Sequence, residues 1–296
     1  MTPRWPLPPP RLPRTLPPLR WETRSSYLAR LAAANHISAD DLDALASPGD
    51  STSELEHLAA LTGHPATTLL HALPELRHYQ PGAGAAAQGA SAYPIPETFL
   101  NDIRPPCWRC TAASGADPGI AEVWATHDVN VCLHHQLWIG NGTSHWHDQA
   151  SLSPCPDILH AQIRHHRIVR QRGRPASRAA FHTAQGIWAA LATTPGYTAN
   201  RDARLHPAAG DTEPGAAISE AAAYPETVAL TAMLASPYWR TIVLSRKTAD
   251  CQQFHHEFRR RVAPGHHPDR YPQLLFWLRR DLEWHPGHPD ETGPHA

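Results

Sequence analysis

The stretch from residue 107 to residue 135 opens with CWRC and closes with CLHH, which gives the spacing C-x2-C-x21-C-x2-H. Each short pair places two ligands on one tight turn, and the segment between the pairs can close into a loop that brings them together. The spacing predicts a metal site made of Cys107, Cys110, Cys132 and His135. Three thiolates and one imidazole suit Zn²⁺ and fill a tetrahedral shell, so we expect a structural zinc ion rather than a catalytic one.

Two adjacent histidines are candidates for the fourth ligand, because His134 stands directly before His135 and only one of them can ligate easily. The x2 spacing favours His135, and His134 is the alternative. Cys155 is a further thiol, but it stands alone before a proline and is expected not to ligate. The competing interpretation is that these cysteines are ordinary buried thiols.

Length and composition limit the class of protein. A chain of 296 residues with 41% hydrophobic residues can build two or three cores. Its formal net charge of -1 excludes a basic signature spread over the whole chain, so any nucleic-acid signal has to be local. The N-terminus lacks the apolar core of a signal peptide, and no stretch approaches the roughly 18 apolar residues of a spanning helix. We expect a soluble cytoplasmic protein without a membrane partner.

Proline-rich and glycine-rich breaks divide the chain into segments. The predicted fold class is mainly α, with a small zinc-ribbon β element between an N-terminal and a C-terminal helical unit. The predicted segments are a disordered Pro/Arg-rich leader over 1–20, a helical domain over 21–79, a linker over 80–96, a zinc-ribbon module over 97–142, a helical domain over 143–285 and a disordered tail over 286–296.

Apolar periodicity predicts four helices in the first domain. Residues 53–73, SELEHLAALTGHPATTLLHAL, have the helix-turn-helix pattern, with a glycine in the turn and apolar anchors on the second helix. That helix offers Thr67, Thr68 and His71 as candidate DNA contacts, but few of the arginine or asparagine side chains that read bases. The alternative is a plain four-helix unit with no DNA role.

The remaining elements follow from shorter patterns. Residues 122–124 and 129–131 are predicted as two short strands inside the zinc loop. Helical spacing over 157–173, 179–193, 217–236 and 271–282 predicts a small helical bundle.

Arginines are concentrated at the end of the first helix of that bundle. Six of them lie within fifteen residues that contain no acid: Arg164, Arg167, Arg170, Arg172, Arg174 and Arg178. Such a cluster is expected to be solvated or to face phosphates, and we take the first five as candidate DNA contacts. Residues 172–175, RGRP, are similar to the minor-groove core of AT-hook peptides. The alternative is a basic helix end that Gly-Arg-Pro terminates.

Catalytic motifs are missing from the sequence. It contains no GxSxG, no GxxxxGK[ST], no GxGxxG after a strand and no HExxH. The 22 histidines lack a helical pairing that would define a second, catalytic metal site. We therefore expect no enzyme activity and no small-molecule substrate.

Three segments together resemble the TniQ family, accessory proteins of some bacterial DNA transposition systems. They are PLRWETRSSYLARL at 18–31 with ANHI at 34–37, CWRC at 107–110 and VCLHH at 131–135. The resemblance covers about the N-terminal half of the chain. It implies the same four zinc ligands and makes the helices at 53–73 the surface that faces DNA or a partner.

Taken together, the patterns predict a non-catalytic DNA-binding protein of TniQ type. DNA would be bound through the helix-turn-helix pair and the arginine cluster, with zinc in a structural role. The alternative is a zinc-stabilised protein–protein adaptor that recruits a DNA-bound partner without touching DNA. In that case Trp124 and Trp138 are expected to face the partner.

Overall fold

The computed structural model describes residues 11–47, 54–79, 102–191, 201–205, 215–245 and 247–262. The chain forms two units, which are residues 1–126 with 143–149 and residues 127–142 with 150–296. The predicted linker, the helix predicted over 271–282 and the predicted tail lie outside the described residues. The domain boundaries drawn from the sequence stay predictions.

Four short helices follow one another at the start of the first unit. They are α1 (Arg24–Asn35), α2 (Ala39–Ala46), α3 (Glu54–Thr62) and α4 (Ala66–Ala72), with a 3-10 turn at Pro74–Tyr79. Two of them begin at hydroxyl caps, because Thr23 accepts a hydrogen bond from the Ser26 N–H and Ser38 accepts one from the Asp41 N–H. All four helices predicted from the apolar spacing are therefore present.

The apolar faces of these helices share one core. Its fully buried members include Tyr27, Leu31, Leu42, Leu58, Leu61, Leu69, Leu73 and Leu76. Residues at i and i+4 or i+3 of each short helix point inward together, which is the spacing that predicted the helices.

Residues 11–20 pack against this core, although the sequence predicted a poorly ordered leader there. The N–H of Leu12 donates to the Leu61 carbonyl at 2.8 Å, and the Leu16 carbonyl accepts from the Tyr27 hydroxyl at 3.1 Å. Proline keeps such a segment extended but leaves its carbonyls free to accept hydrogen bonds. The segment is thus extended, as its composition indicates, and held by specific contacts.

A buried ion pair fixes the start of α1. Arg30 donates from Nε to Glu22 Oε1 at 2.6 Å and from Nη2 to Glu22 Oε2 at 2.7 Å, and both side chains are almost fully excluded from solvent. The Ser26 hydroxyl and the Leu19 N–H also donate to this carboxylate. A buried charge needs this degree of pairing, because desolvation is costly.

Two small antiparallel sheets complete the β structure of the described residues. Strand β1 (Asp102–Arg104) pairs with β2 (Val123–Ala125), and β3 (Val131–Cys132) pairs with β4 (Leu137–Trp138). The two predicted strands correspond to β2 and β3, but they do not pair with each other. A four-residue turn after β3 returns the chain directly to β4 as a hairpin, which is the nearest available partner.

The second unit contains five of the helices. After the short α5 (Trp108–Ala113) of the first unit, they are α6 (Pro156–Arg172), α7 (Arg174–Leu191), α8 (Ala216–Leu234), α9 (Pro237–Leu244) and α10 (Thr248–Arg261). Among the residues of their shared core are Ile158, Phe181, Tyr224, Val228, Met233, Phe254 and Phe258. The helices predicted at 157–173, 179–193 and 217–236 are thus present, and the mainly α prediction is confirmed.

Four buried polar side chains lie together in the second unit. His165 Nδ1 lies 2.9 Å from the Tyr224 hydroxyl, and His127 Nε2 lies 3.2 Å from Ser177 Oγ. The two imidazole rings contact each other edge to face at 5.4 Å. Burial lowers the pKa of His127 to about 4 and that of His165 to about 3. Both imidazoles are therefore neutral at pH 7.

Acidification is expected to destabilise the protein through these two histidines. Between about pH 6.5 and pH 4 the unfolded chain binds protons that the folded chain does not, so stability falls as the pH falls. The contribution of His127 should lower the free energy of unfolding by about 2 kcal/mol between pH 7 and pH 4.5. Urea unfolding of wild type and His127→Gln at both pH values measures it, and the variant corrects for every other titrating group. Equal pH dependence in the two proteins would contradict the assignment.

Candidate metal centre and basic surface

Four side chains from the predicted set converge. The three Sγ atoms of Cys107, Cys110 and Cys132 and a ring nitrogen of His135 all lie within 4.8 Å of one another. Tetrahedral zinc, with bonds of about 2.3 Å to sulfur and about 2.0 Å to nitrogen, separates such ligand atoms by about 3.6 Å. The Sγ of Cys132 lies 3.7 Å from Nδ1 of His135, which fits that separation. The group could therefore hold a metal ion.

The first pair of cysteines is held by the start of α5. Cys107 occupies the position before the helix and is buried, whereas Cys110 lies one turn later and is exposed. Gln149 fastens this turn, since its Oε1 accepts from the Trp108 N–H at 3.0 Å and its Nε2 donates to the Pro106 carbonyl at 2.7 Å.

The second pair is held by the β3–β4 hairpin. Cys132 ends β3, and His135 lies in the turn that leads to β4. Gln136 has a φ of 51°, a left-handed conformation that closes this turn. Both pairs are thus set on tight turns, which is the arrangement that the C-x2-C and C-x2-H spacing predicts.

The other two candidates lie outside this group. The ring of His134 lies next to that of His135, with centroids 4.4 Å apart, but it is not a member of the converging set. The buried Sγ of Cys155 lies 3.8 Å from the Arg204 carbonyl oxygen, in the second unit. The prediction that Cys155 does not belong to the site agrees with this position.

The structure separates the predicted arginine cluster into two sets. Four of its members lie on α6, and we call them the arginine row: Arg164, Arg167, Arg170 and Arg172. Arg164 is half-buried and the other three are exposed. Within the described residues none of the four has a carboxylate partner. Arg174 differs, because its Nη1 donates to Asp128 Oδ1 at 2.9 Å.

The RGRP tetrapeptide is a junction between two helices. Gly173 ends α6 with a φ of 78°, and Arg174 begins α7, with Pro175 at its second position. Proline is well tolerated in a first helical turn. The predicted helix ending is therefore confirmed, and the extended AT-hook conformation is wrong for this segment.

The candidate contacts of the helix-turn-helix pattern are accessible in the structure. Thr67, Thr68 and His71 are all exposed on α4, while Leu69 and Leu70 between them are buried. The turn before α4 contains Gly63 with a φ of 69°, a conformation that glycine adopts without strain. The pattern thus places its apolar and polar residues on opposite faces of α4.

The two tryptophans expected to face a partner both make contacts within the protein, Trp138 as a buried residue and Trp124 as a half-buried one. Trp138 is only 2% exposed and stacks edge to face on Tyr224 at 5.3 Å. Trp124 donates from Nε1 to Glu75 Oε1 at 2.9 Å. The expectation that Trp138 faces a partner is therefore wrong, because the hairpin buries it.

The sequence analysis did not identify Trp146 as exposed. Trp146 lies 43% exposed, with its ring 6.3 Å from that of Trp108, and the Arg109 guanidinium lies over the Trp108 ring at 5.1 Å. Its position in a histidine-rich loop gives no periodic signal that could have predicted its exposure.

These residues define a mainly helical protein with a cysteine and histidine group able to hold a metal ion. Residues 13–138 match the family model described as TniQ. The match spans the N-terminal helices and both ligand pairs, so the predicted TniQ resemblance of the N-terminal half is confirmed. It indicates a transposition-associated DNA-binding or adaptor role, and the family is generally non-catalytic. No curated protein and no solved structure was found to match the chain.

The family-like residues at the N-terminus have a structural role here. Glu22 and Arg30 of the motif make the buried ion pair, Ser26 donates a hydrogen bond to Glu22, and Tyr27 and Leu31 are fully buried. The motif residues therefore hold the segment before α1 against that helix. In the described part of the chain, no helix is long and apolar enough to cross a bilayer.

Proposed function

We propose that the chain is a non-catalytic, DNA-binding accessory protein of TniQ type with a structural zinc ion. The TniQ match supports the class of protein. The metal group supports the zinc, because three thiolates and one imidazole are the donors that zinc prefers. With four protein ligands the shell would be full, so zinc would hold the two turns in place without activating water.

The observation that carries the DNA-binding proposal is the arginine row. Seven other arginines of the described residues are ion-paired, namely Arg24, Arg30, Arg104, Arg174, Arg204, Arg260 and Arg261. The four of the arginine row have no carboxylate partner there. Guanidinium groups that lie unpaired along one helix are suited to phosphate contacts, which supply most of the sequence-independent affinity for DNA.

A second proposed contact is the exposed face of α4, with Thr67, Thr68 and His71. Hydroxyl groups bond to phosphates as well as to base edges, so they position a protein without specifying a sequence. Arg174 contributes less than the sequence suggested, since Asp128 already neutralises it.

Replacing Arg170 by glutamine is expected to weaken duplex DNA binding several-fold at about 50 mM salt and to reduce the slope of log K against log salt by about 1. Arg260→Gln is the matched control, because that exposed arginine is already paired with Glu257 at 2.6 Å. Fluorescence anisotropy with a labelled duplex, repeated over a series of salt concentrations, measures both quantities. Thr68→Glu should also weaken binding, because a carboxylate on α4 would repel phosphate.

Two outcomes of the same measurements would contradict the DNA-binding proposal. A wild-type chain with no measurable affinity for duplex DNA at low salt would exclude direct DNA binding. Equal effects of Arg170→Gln and Arg260→Gln would exclude the arginine row as the contact.

A protein–protein adaptor is the second candidate function, and the exposed Trp146 beside Trp108 favours it. Tryptophan is enriched at the centres of protein interfaces, where a large apolar side chain excludes water. An adaptor interface of this kind depends little on ionic strength, whereas DNA binding through several arginines falls steeply with salt. The same titration therefore separates the two functions.

A further inference from the structure

A basic cleft lies in the second unit between α6, α8, α9 and α10. It has a volume of about 500 Å³. Three arginines of the arginine row line it, together with a fourth arginine from the last turn of α10: Arg164, Arg167, Arg172 and Arg261. Its apolar lining includes Ile163 and Trp239. None of the described residues that line the cleft is acidic. We call this the arginine cleft.

The arginines of the cleft make few hydrogen bonds to the other described residues. Arg164, Arg167 and Arg172 have no carboxylate partner among the described residues. Arg261 donates from Nε to Glu257 Oε1, and Glu257 does not line the cleft. Within the described part of the chain, no side chain or carbonyl accepts from the two Nη atoms of Arg261. A guanidinium that keeps these donors can still bind an oxyanion in the bidentate manner.

Grouping these charges has an energetic cost. Arg164 is half-buried, and burial, followed by the nearby charges of Arg261 and Arg167, lowers its pKa. Like charges that are partly removed from water repel one another strongly, because less solvent screens them. An anion in the cleft would reverse the sign of that interaction and supply acceptors for the free N–H groups.

We propose that the arginine cleft binds a phosphoryl group, carried either by a nucleic-acid backbone or by a free phosphorylated molecule. Four guanidinium groups suit a multiply charged oxyanion better than a single carboxylate, since each can bind two of its oxygens. The volume falls within the range of sites that hold small ligands. Ile163 and Trp239 give the cleft an apolar wall beside its charged one.

The inference extends the proposed function, because three residues of the arginine row also line the cleft. It adds Arg261, a residue that no sequence pattern indicated. It also separates Arg170 from its neighbours, since Arg170 is exposed on the same helix but does not line the cleft. Arg170 and Arg261 are therefore a matched pair of variants for distinguishing the cleft from the general basic surface.

The test is calorimetric titration of the full-length chain with inorganic pyrophosphate at constant ionic strength. We expect wild type to bind pyrophosphate, Arg261→Gln to bind it at least about tenfold more weakly, and Arg170→Gln to bind it within twofold of wild type. Arg261→Lys should recover part of the affinity, because it keeps the charge without the bidentate geometry. Thermal melts of each variant show whether it is folded, and if Arg261→Gln is not, Arg164→Gln takes its place.

Two further outcomes distinguish the source of the phosphoryl group. If pyrophosphate displaces a labelled duplex and Arg261→Gln weakens DNA binding more than Arg170→Gln does, the cleft binds the nucleic-acid backbone. If pyrophosphate binds through Arg261 but the chain has no affinity for DNA, the cleft binds a free phosphorylated molecule and the proposed function is lost. If wild type does not bind pyrophosphate, or if Arg170→Gln and Arg261→Gln weaken it equally, the cleft proposal is overturned, whether or not DNA binds.

Discussion

Arg30→Ala is expected to lower the free energy of unfolding of the first unit by about 3–5 kcal/mol. The substitution leaves the Glu22 carboxylate fully buried with only the Ser26 hydroxyl and the Leu19 N–H as donors. A buried charge without a partner of opposite sign costs far more than the loss of one exposed ion pair, because nothing replaces the water that the fold removed.

Urea unfolding followed by hydrogen exchange in the peptide that covers α1 measures this loss in the relevant unit. Arg24→Ala is the matched control, since Arg24 pairs with Asp43 and Glu54 at a partly exposed site and should cost only about 1 kcal/mol. The double variant Glu22→Leu/Arg30→Met should lose less free energy of unfolding than the sum of the losses in the two single variants, because neither charge then remains buried alone. A loss in Arg30→Ala no larger than in Arg24→Ala would show that the pair is not a buried one.

Removing the metal is the second change with a large expected effect. Structural zinc contributes on the order of 10 kcal/mol to the folding of small zinc-binding peptides. We therefore expect purified wild type to contain about one zinc per chain and Cys132→Ser to contain little. Hydrogen exchange at the two ligand turns should become faster in the variant and in wild type treated with a chelator, because the metal bonds that join the two turns are lost.

Matched variants make this test specific. Cys155→Ser should keep its zinc, because Cys155 lies beside the Arg204 carbonyl and not in the converging group. His135→Gln should lose metal affinity and His134→Gln should keep it, which settles the choice of the fourth ligand. Zinc content that is unchanged in Cys132→Ser would contradict the metal site itself.

The sequence predicted the helices wherever local signals were strong. These signals act within a few residues, so the local sequence is enough to predict them. They include the Ser38 cap, the apolar spacing of α6 and Gly173 at its end. The same holds for the ligand pairs, because each lies on a single turn. By contrast, α10 was not predicted, since Phe254 and Phe258 are its only large apolar residues in a mostly polar and basic segment.

Features made by residues far apart in the chain could not be predicted in this way. The sequence shows Glu22 and Arg30 as two ordinary charged residues, and their mutual burial depends on how the leader lies on α1. Asp128 forms an ion pair with Arg174, which lies 46 positions later in the sequence, and so neutralises one arginine of the basic cluster. Arg261 joins the arginine cleft from another helix altogether. Strand pairing was missed for the same reason, because β1 lies before the first ligand pair and shows no periodicity over its three residues.

The docked leader also determines where a shortened version of the first unit can begin. Composition suggests a start near residue 21, yet the carbonyls that satisfy the Tyr27 hydroxyl and one Arg30 nitrogen belong to Leu16 and Pro17. A fragment cut at residue 21 would remove both of these acceptors and would uncover the apolar surface that Leu12 and Leu16 now cover. The shortest fragment that preserves this unit's interior therefore starts at or before Leu12.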